Sequence, residues 1–259
     1  MTTARFSAGE GLRRRSGEAK MRGRLVALEG GSASGKSTLV RVAARRYGWR
    51  PLSEAVDRLD PSPSIEFDSS LELLRLEETL LAEETHRYRE ARRLCEQGET
   101  VLADTGFLGP VTYTLGLVTI GGSPASVGRT LVRSARSLVR RGALGVPDLT
   151  VYLHTTARER AARARRDAER HPRRLRARHE AVGRFERMLF EEVLPQVLPG
   201  RFFQLRARSA PVSLARHLEA VLSRAGAARR PSRAEALAVV STLEGWTGKA
   251  RRSVVGPNR

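Results

Sequence analysis

The sequence predicts an α/β fold in which a parallel sheet is covered by helices on both faces, and three observations predict it. Short apolar runs alternate with segments of helical periodicity from residue 24 to about residue 222. Strands that are apolar on both sides belong to a sheet covered on both faces. The first apolar run breaks at Gly30 into a glycine-rich turn and then a helix, which is the context of a phosphate-binding loop. Glu29, Glu54 and Asp104 fall at or near the ends of such runs, and the ligand of a parallel sheet sits beyond those ends.

Taken in order, residues 24–29 are the first strand. The next helix spans 35–47, with Leu39, Val40, Val42 and Ala43 as its inner face, and Gly48 ends it. Residues 49–56 hold a short second strand with Glu54 near its end, and Pro61 and Pro63 make 57–64 a loop. A long helix covers 69–96, where Leu71, Leu74, Leu81, Tyr88 and Leu94 recur at broadly helical spacing. Glu72, Glu77, Glu78, Glu83 and Glu84 make much of it acidic, and Gly98 stops it. Residues 100–104 are a buried strand tipped by Asp104. The Gly/Pro/Thr-rich stretch 106–128 reads as loop and broken helix.

A basic helix spans 125–141 and a strand 149–153. An Ala/Arg-rich helix follows over 157–170, then one over 173–194 with Phe185, Leu189 and Phe190 on its apolar side, broken by Pro195 and Pro199. Residues 202–205 are the last strand and 212–222 a closing helix. The polar, aperiodic residues 1–23 read as a disordered basic arm. Residues 24–224 read as one domain, and 225–259 as a loosely ordered basic tail with a short helix over 233–243.

The chemistry centres on Gly30, Gly31, Ser32, Ala33, Ser34, Gly35, Lys36, Ser37 and Thr38. From Gly30 to Ser37 the pattern is G-x-x-x-x-G-K-S, the P-loop. Glycines let the backbone wrap an anion without a Cβ in the way. Successive N–H groups then face phosphate oxygens, helped by the positive end of the following helix. Lys36 can reach the β- and γ-phosphates, and the Ser37 hydroxyl can ligate Mg²⁺. Of 47 basic residues only Lys20, Lys36 and Lys249 are lysine. A chain that writes nearly every cation as Arg thus keeps a Lys where the motif needs one.

Composition narrows the class. The chain has 259 residues, enough for a substantial core. Its single cysteine, Cys95, can form no internal disulfide. No apolar run approaches the ~20 residues of a membrane span, and no apolar stretch follows Arg13-Arg14-Arg15 as in a signal peptide. A cytoplasmic protein is expected. The net charge of +19 fits either nucleic-acid binding or an arginine-biased coding composition. Aromatics are 5% of the chain and do not interleave with the basic runs, which argues against a stacking platform for single strands.

Other candidates follow from position. Asp104, at a strand tip, can hold Mg²⁺ through water or accept a hydroxyl proton, against a role as helix cap or ion-pair partner. Glu54 can act as a general base, against being one more exposed acid. Arg158, Arg160, Arg163, Arg165 and Arg166 crowd one helix. Arg163 and Arg166, three apart, share a face and can supply cations to a transferring phosphoryl group. Tyr113 can stack on a base or simply pack. His154 reads as structural.

The run from Leu28 to Thr38 resembles the P-loop of the thymidylate kinase and deoxynucleoside kinase superfamily. Gly98-Glu99-Thr100-Val101-Leu102-Ala103-Asp104-Thr105 resembles that family's segment ending in Asp-Arg. Val111-Thr112-Tyr113 stands where thymidylate kinases carry Ala-Tyr-Gln. Pro147-Asp148-Leu149-Thr150-Val151-Tyr152-Leu153-His154 is similar to their Pro-Asp-Leu-Thr-x-Tyr-Leu-Asp, and the arginine helix takes the place of the lid. The resemblance covers roughly residues 24–205. It implies a P-loop NTPase fold with a five-stranded parallel sheet, an arginine-rich lid, and ATP with Mg²⁺ as phosphoryl donor.

Three departures mark this chain: Ser32 for an Asp, Thr105 for an Arg, and His154 for an Asp. Ala33-Ser34 look more like the deoxynucleoside kinases, whose general base is a Glu after the second strand, where Glu54 lies. The expected partner is a small-molecule acceptor, a nucleoside or nucleotide first, with a homodimer compatible and neither membrane nor nucleic acid expected. Two readings of other classes compete: an ATP-binding protein with a nucleic-acid-binding or regulatory role, and a degenerate, non-catalytic relative.

Overall fold

The computed structural model describes residues 23–61, 67–166, 173–226 and 229–254, with backbone alone for 173–179 and 246–254. The arm expected over 1–23 lies, except for Gly23, outside the described residues.

Five strands, β1 (Leu25–Glu29), β2 (Arg50–Leu52), β3 (Val101–Asp104), β4 (Leu149–His154) and β5 (Phe202–Arg206), form one sheet in the order β2-β3-β1-β4-β5. Every neighbouring pair is parallel, as expected. Between them run α1 (Lys36–Tyr47), α2 (Ser70–Glu96), α3 (Gly109–Thr119), α4 (Ala125–Arg140), α5 (Ala157–Arg166), α6 (Arg173–Met188), α7 (Leu194–Val197), α8 (Pro211–Arg224) and α9 (Arg233–Val254). β1 is central, with β3 and β2 on one side and β4 and β5 on the other, and the chain crosses from the first side to the second between β3 and β4. That reversal opens a crevice at the C-terminal end of β1.

Alternation along β1 sorts the core. Leu25 and Ala27 join the cluster under α2, α3, α4, α6 and α9, while Val26 and Leu28 join the one under α1 and α8. Asp148 fastens the start of β1. Its carboxylate accepts from the Leu25 N–H at 2.8 Å and from Arg92 Nη1 at 2.6 Å.

The short second strand expected within 49–56 is β2, three residues long, and Glu54 stands two residues beyond it. The structure differs from expectation at four places. The stretch 106–128 contains a full helix, α3, whose Val111, Leu115, Leu117, Val118 and three threonines are all buried. A helix buried all round shows no apolar stripe. A Cβ on its Gly116 would meet Val182 Cγ1 at 2.7 Å, so this glycine permits the α3–α6 approach. The inner face of α2 is Leu73, Glu77, Leu81, Glu84, Tyr88, Ala91 and Cys95, and Leu71 is exposed.

The helix expected over 173–194 passes at Met188 into a π turn (Leu189–Val193) and then α7, where Pro195 starts a turn instead of ending one. The tail carries α9, longer than 233–243, with Ala236, Val239, Val240 and Leu243 buried against the main cluster. The helix expected over 157–170 is described to Arg166 only.

Candidate active site

The P-loop leaves β1 at Gly30, whose φ of 144° suits glycine, and a Cβ there would meet the Leu153 carbonyl at 2.9 Å. Ala33 also takes a left-handed conformation. The loop closes with Ser34 N–H on the Gly31 carbonyl at 3.1 Å and feeds into α1, whose N-cap is Gly35. Lys36 folds back over the loop and donates from Nζ to the Gly30 carbonyl at 2.8 Å.

Lys36 sits among four carboxylates. Burial works against its charge, but Glu54, Asp104, Glu186 and Glu29 overcome that and raise its pKa. Glu54, on the loop after β2, has Oε1 4.0 Å from Lys36 Nζ with about a third of its side chain exposed. The Thr105 hydroxyl donates to that same oxygen at 2.8 Å. Asp104, at the tip of β3, is 4% exposed. Burial raises its pKa, opposed by Lys36, Ser37 and Arg87. Its Oδ1 accepts no hydrogen bond among the described residues.

Glu29 accepts from the Gly106 N–H at 2.9 Å, and burial pushes it up to about 8 against the pull of Lys36. Glu186, on α6, is raised by burial too, opposed by Lys36 and Arg160.

The structure therefore brings Lys36, Ser37, Glu54 and Asp104 together and adds Glu29, Glu186 and Thr105. The lid arginines separate. Arg163 donates from Nη1 to the Ser34 carbonyl and from Nη2 to the Ala207 carbonyl at 2.8 Å, tying the P-loop to the end of β5. Arg160 lies over Gly31, its Nε 3.3 Å from where a Cβ would stand, and donates to the Thr155 carbonyl at 2.7 Å. Arg166 is exposed at the end of α5. Tyr113 is half-buried against the main core. His154 Nδ1 is 2.6 Å from Glu191 Oε1, in keeping with a structural role.

Arg87 went unforeseen. It is fully buried on α2, donates to Glu84, and sends Nη2 to the carbonyls of Asp104 at 3.0 Å and Thr105 at 3.3 Å. Its one sequence signal is its place among polar residues on the buried face of α2.

No group of three or more His, Cys, Asp or Glu side chains able to hold a metal is found among the described residues. Mg²⁺ in a phosphate site takes one or two protein ligands beside phosphates and water. The unpartnered Asp104 Oδ1, with Ser37 beside it, fits that demand.

No family model matches the sequence, and no curated protein matches it. Solved structures do match. A deoxyadenosine kinase from M. mycoides with bound dATP superposes with a TM-score of 0.63 at 15% identity, over 77% of this chain and 99% of that one. The fold is that of the P-loop nucleoside and nucleotide kinases. The same enzyme with dCMP and dCDP gives 0.62 at 14% identity, over 77% of this chain and 98% of that one. Thymidylate kinase from Candida albicans gives 0.56 at 16% identity, over 80% and 94%. The kinase-like fold and its parallel sheet are thereby secured. Among the described residues no helix is long and apolar enough to cross a membrane.

Proposed function

We propose that the protein transfers the γ-phosphoryl group of ATP to a hydroxyl of a nucleoside. The observation that carries this reading is Glu54. It is a partly exposed carboxylate on the loop after β2, 4.0 Å from the P-loop lysine. A hydroxyl needs a base there, whereas a nucleoside monophosphate brings an oxygen that is already nucleophilic. A monophosphate calls instead for arginine, and the position after Asp104 holds Thr105. A deoxyadenosine kinase stands among the structural neighbours, beside a thymidylate kinase of the same fold, and is compatible with this reading.

In this mechanism the P-loop N–H groups and Lys36 hold the β- and γ-phosphates. The acceptor oxygen attacks the γ-phosphorus, the bond to the bridging oxygen breaks, ADP leaves, and the acceptor proton passes to Glu54. Ser37 and Asp104 would hold Mg²⁺, which offsets charge on the phosphates. Arg160 and Arg163 stand beside the loop as further cations, with Arg166 on the outer part of the lid.

Glu54→Gln tests the reading. We expect kcat to fall by the ~10²–10⁴-fold that losing a general base costs, with KM for ATP nearly unchanged. Steady-state rates with ATP and a panel of nucleosides and nucleoside monophosphates measure it. A Glu54→Gln protein as fast as the parent, or transfer to monophosphates alone, overturns it.

A further inference from the structure

Thr105 has a backbone that its side chain disfavours. Its φ is 72°, in the left-handed region, where a β-branched residue is a genuine outlier. Such strain persists only where surrounding structure over-determines it. The surroundings here are explicit. The Thr105 N–H donates to the Leu28 carbonyl at 3.0 Å. The fully buried Arg87 holds the carbonyls of Asp104 and Thr105 with one nitrogen, is paired with Glu84, and stacks on Phe107. A glycine would take this conformation without strain. What threonine adds is a hydroxyl, and it donates to Glu54 Oε1 at 2.8 Å.

We infer that Thr105 is a positioning residue for Glu54. The strained turn, clamped by Arg87, aims the Thr105 hydroxyl at one carboxylate oxygen, fixing the Glu54 rotamer and leaving the other oxygen to take the acceptor proton. Glu54 stands on a loop, two residues past the edge strand β2, and its 4.0 Å contact with Lys36 is loose. A carboxylate so placed gains from a fixed donor, because proton transfer needs hydrogen-bond reach and alignment. The inference rests on the hydroxyl-acceptor reading above.

Three variants of the full chain test it, assayed with Mg²⁺-ATP and with deoxyadenosine, deoxycytidine and thymidine as acceptors. Thr105→Ser keeps the hydroxyl and should retain the parental kcat. Thr105→Val keeps the branched shape without the donor, and Thr105→Gly removes donor and strain together. Both should lose ~10–100-fold in kcat, the scale on which outer-shell partners of metal ligands act, with KM for ATP unchanged.

Thr105→Gly should also melt no lower than the parent, which separates the loss from misfolding. In a Glu54→Gln background Thr105→Gly should slow the enzyme no further. Parental kcat in Thr105→Gly, or Thr105→Ser as slow as Thr105→Val, overturns the inference while leaving Glu54 as base. A parent that phosphorylates none of the three nucleosides overturns the hydroxyl-acceptor reading and this inference with it.

Discussion

Glu77 is 3% exposed on the inner face of α2, and burial pushes its carboxyl from 4.5 up to about 8. Between those two values the folded chain keeps a proton that the unfolded chain has released. Stability therefore falls as pH rises through that window and is flat outside it. Glu29, pushed to about 8, and Glu84, pushed to about 7 despite Arg87, act in the same direction. Glu77→Gln mimics the protonated acid. It should melt with the parent at pH 5 and above it at pH 8, by thermal unfolding at each pH. A variant whose melting temperature follows the parental pH slope in parallel would contradict this. Such a residue is invisible to a reading that counts every Glu of an amphipathic helix as solvated. The same blindness hid Arg87, whose guanidinium serves backbone carbonyls rather than water.

Among the elements, β1, β3 and β4 were legible because each is a short apolar run ending near a polar tip, and α1 because Gly35 and Gly48 frame it. α3 was not, since burial on all sides erases the periodicity that marks a helix. α9 was legible only in its first half. Its Val240 and Leu243 are fully buried, against a cluster that includes α3 and α4 residues. This makes the C-terminal helix part of the core. Leu243→Ala should lower stability by ~2–5 kcal/mol, read as a shifted denaturant midpoint with unchanged slope. An unchanged midpoint would mean that α9 is a dispensable appendage. In the lid helix the arginines were visible but their phase was not. With Ala164 buried, Arg160 and Arg163 face the P-loop while Arg166 is exposed.

At the scale of the whole molecule, the sheet order puts β1 between β3 and β4. The P-loop, Asp104 with Thr105, and the lid helix thus meet at one crevice. Glu54 joins them from the loop after the edge strand. The motif Gly30 to Ser37 and the strand-tip acids disclosed that crevice from sequence alone. Thr105 reads in sequence as an arginine lost, and in three dimensions as a hydroxyl aimed at Glu54. The charge of +19 says little about this site, where Lys36 is outnumbered by carboxylates.

The most direct test of the account follows the label from γ-³²P-ATP into product, with nucleosides and nucleoside monophosphates offered side by side to the parent and to Lys36→Ala. Labelled nucleoside monophosphate is expected from the parent. At least ~10²–10³-fold less is expected from a folded Lys36→Ala protein, the scale of losing one preorganised charge-stabilising group. Label in diphosphates alone, or undiminished transfer by folded Lys36→Ala, would contradict it.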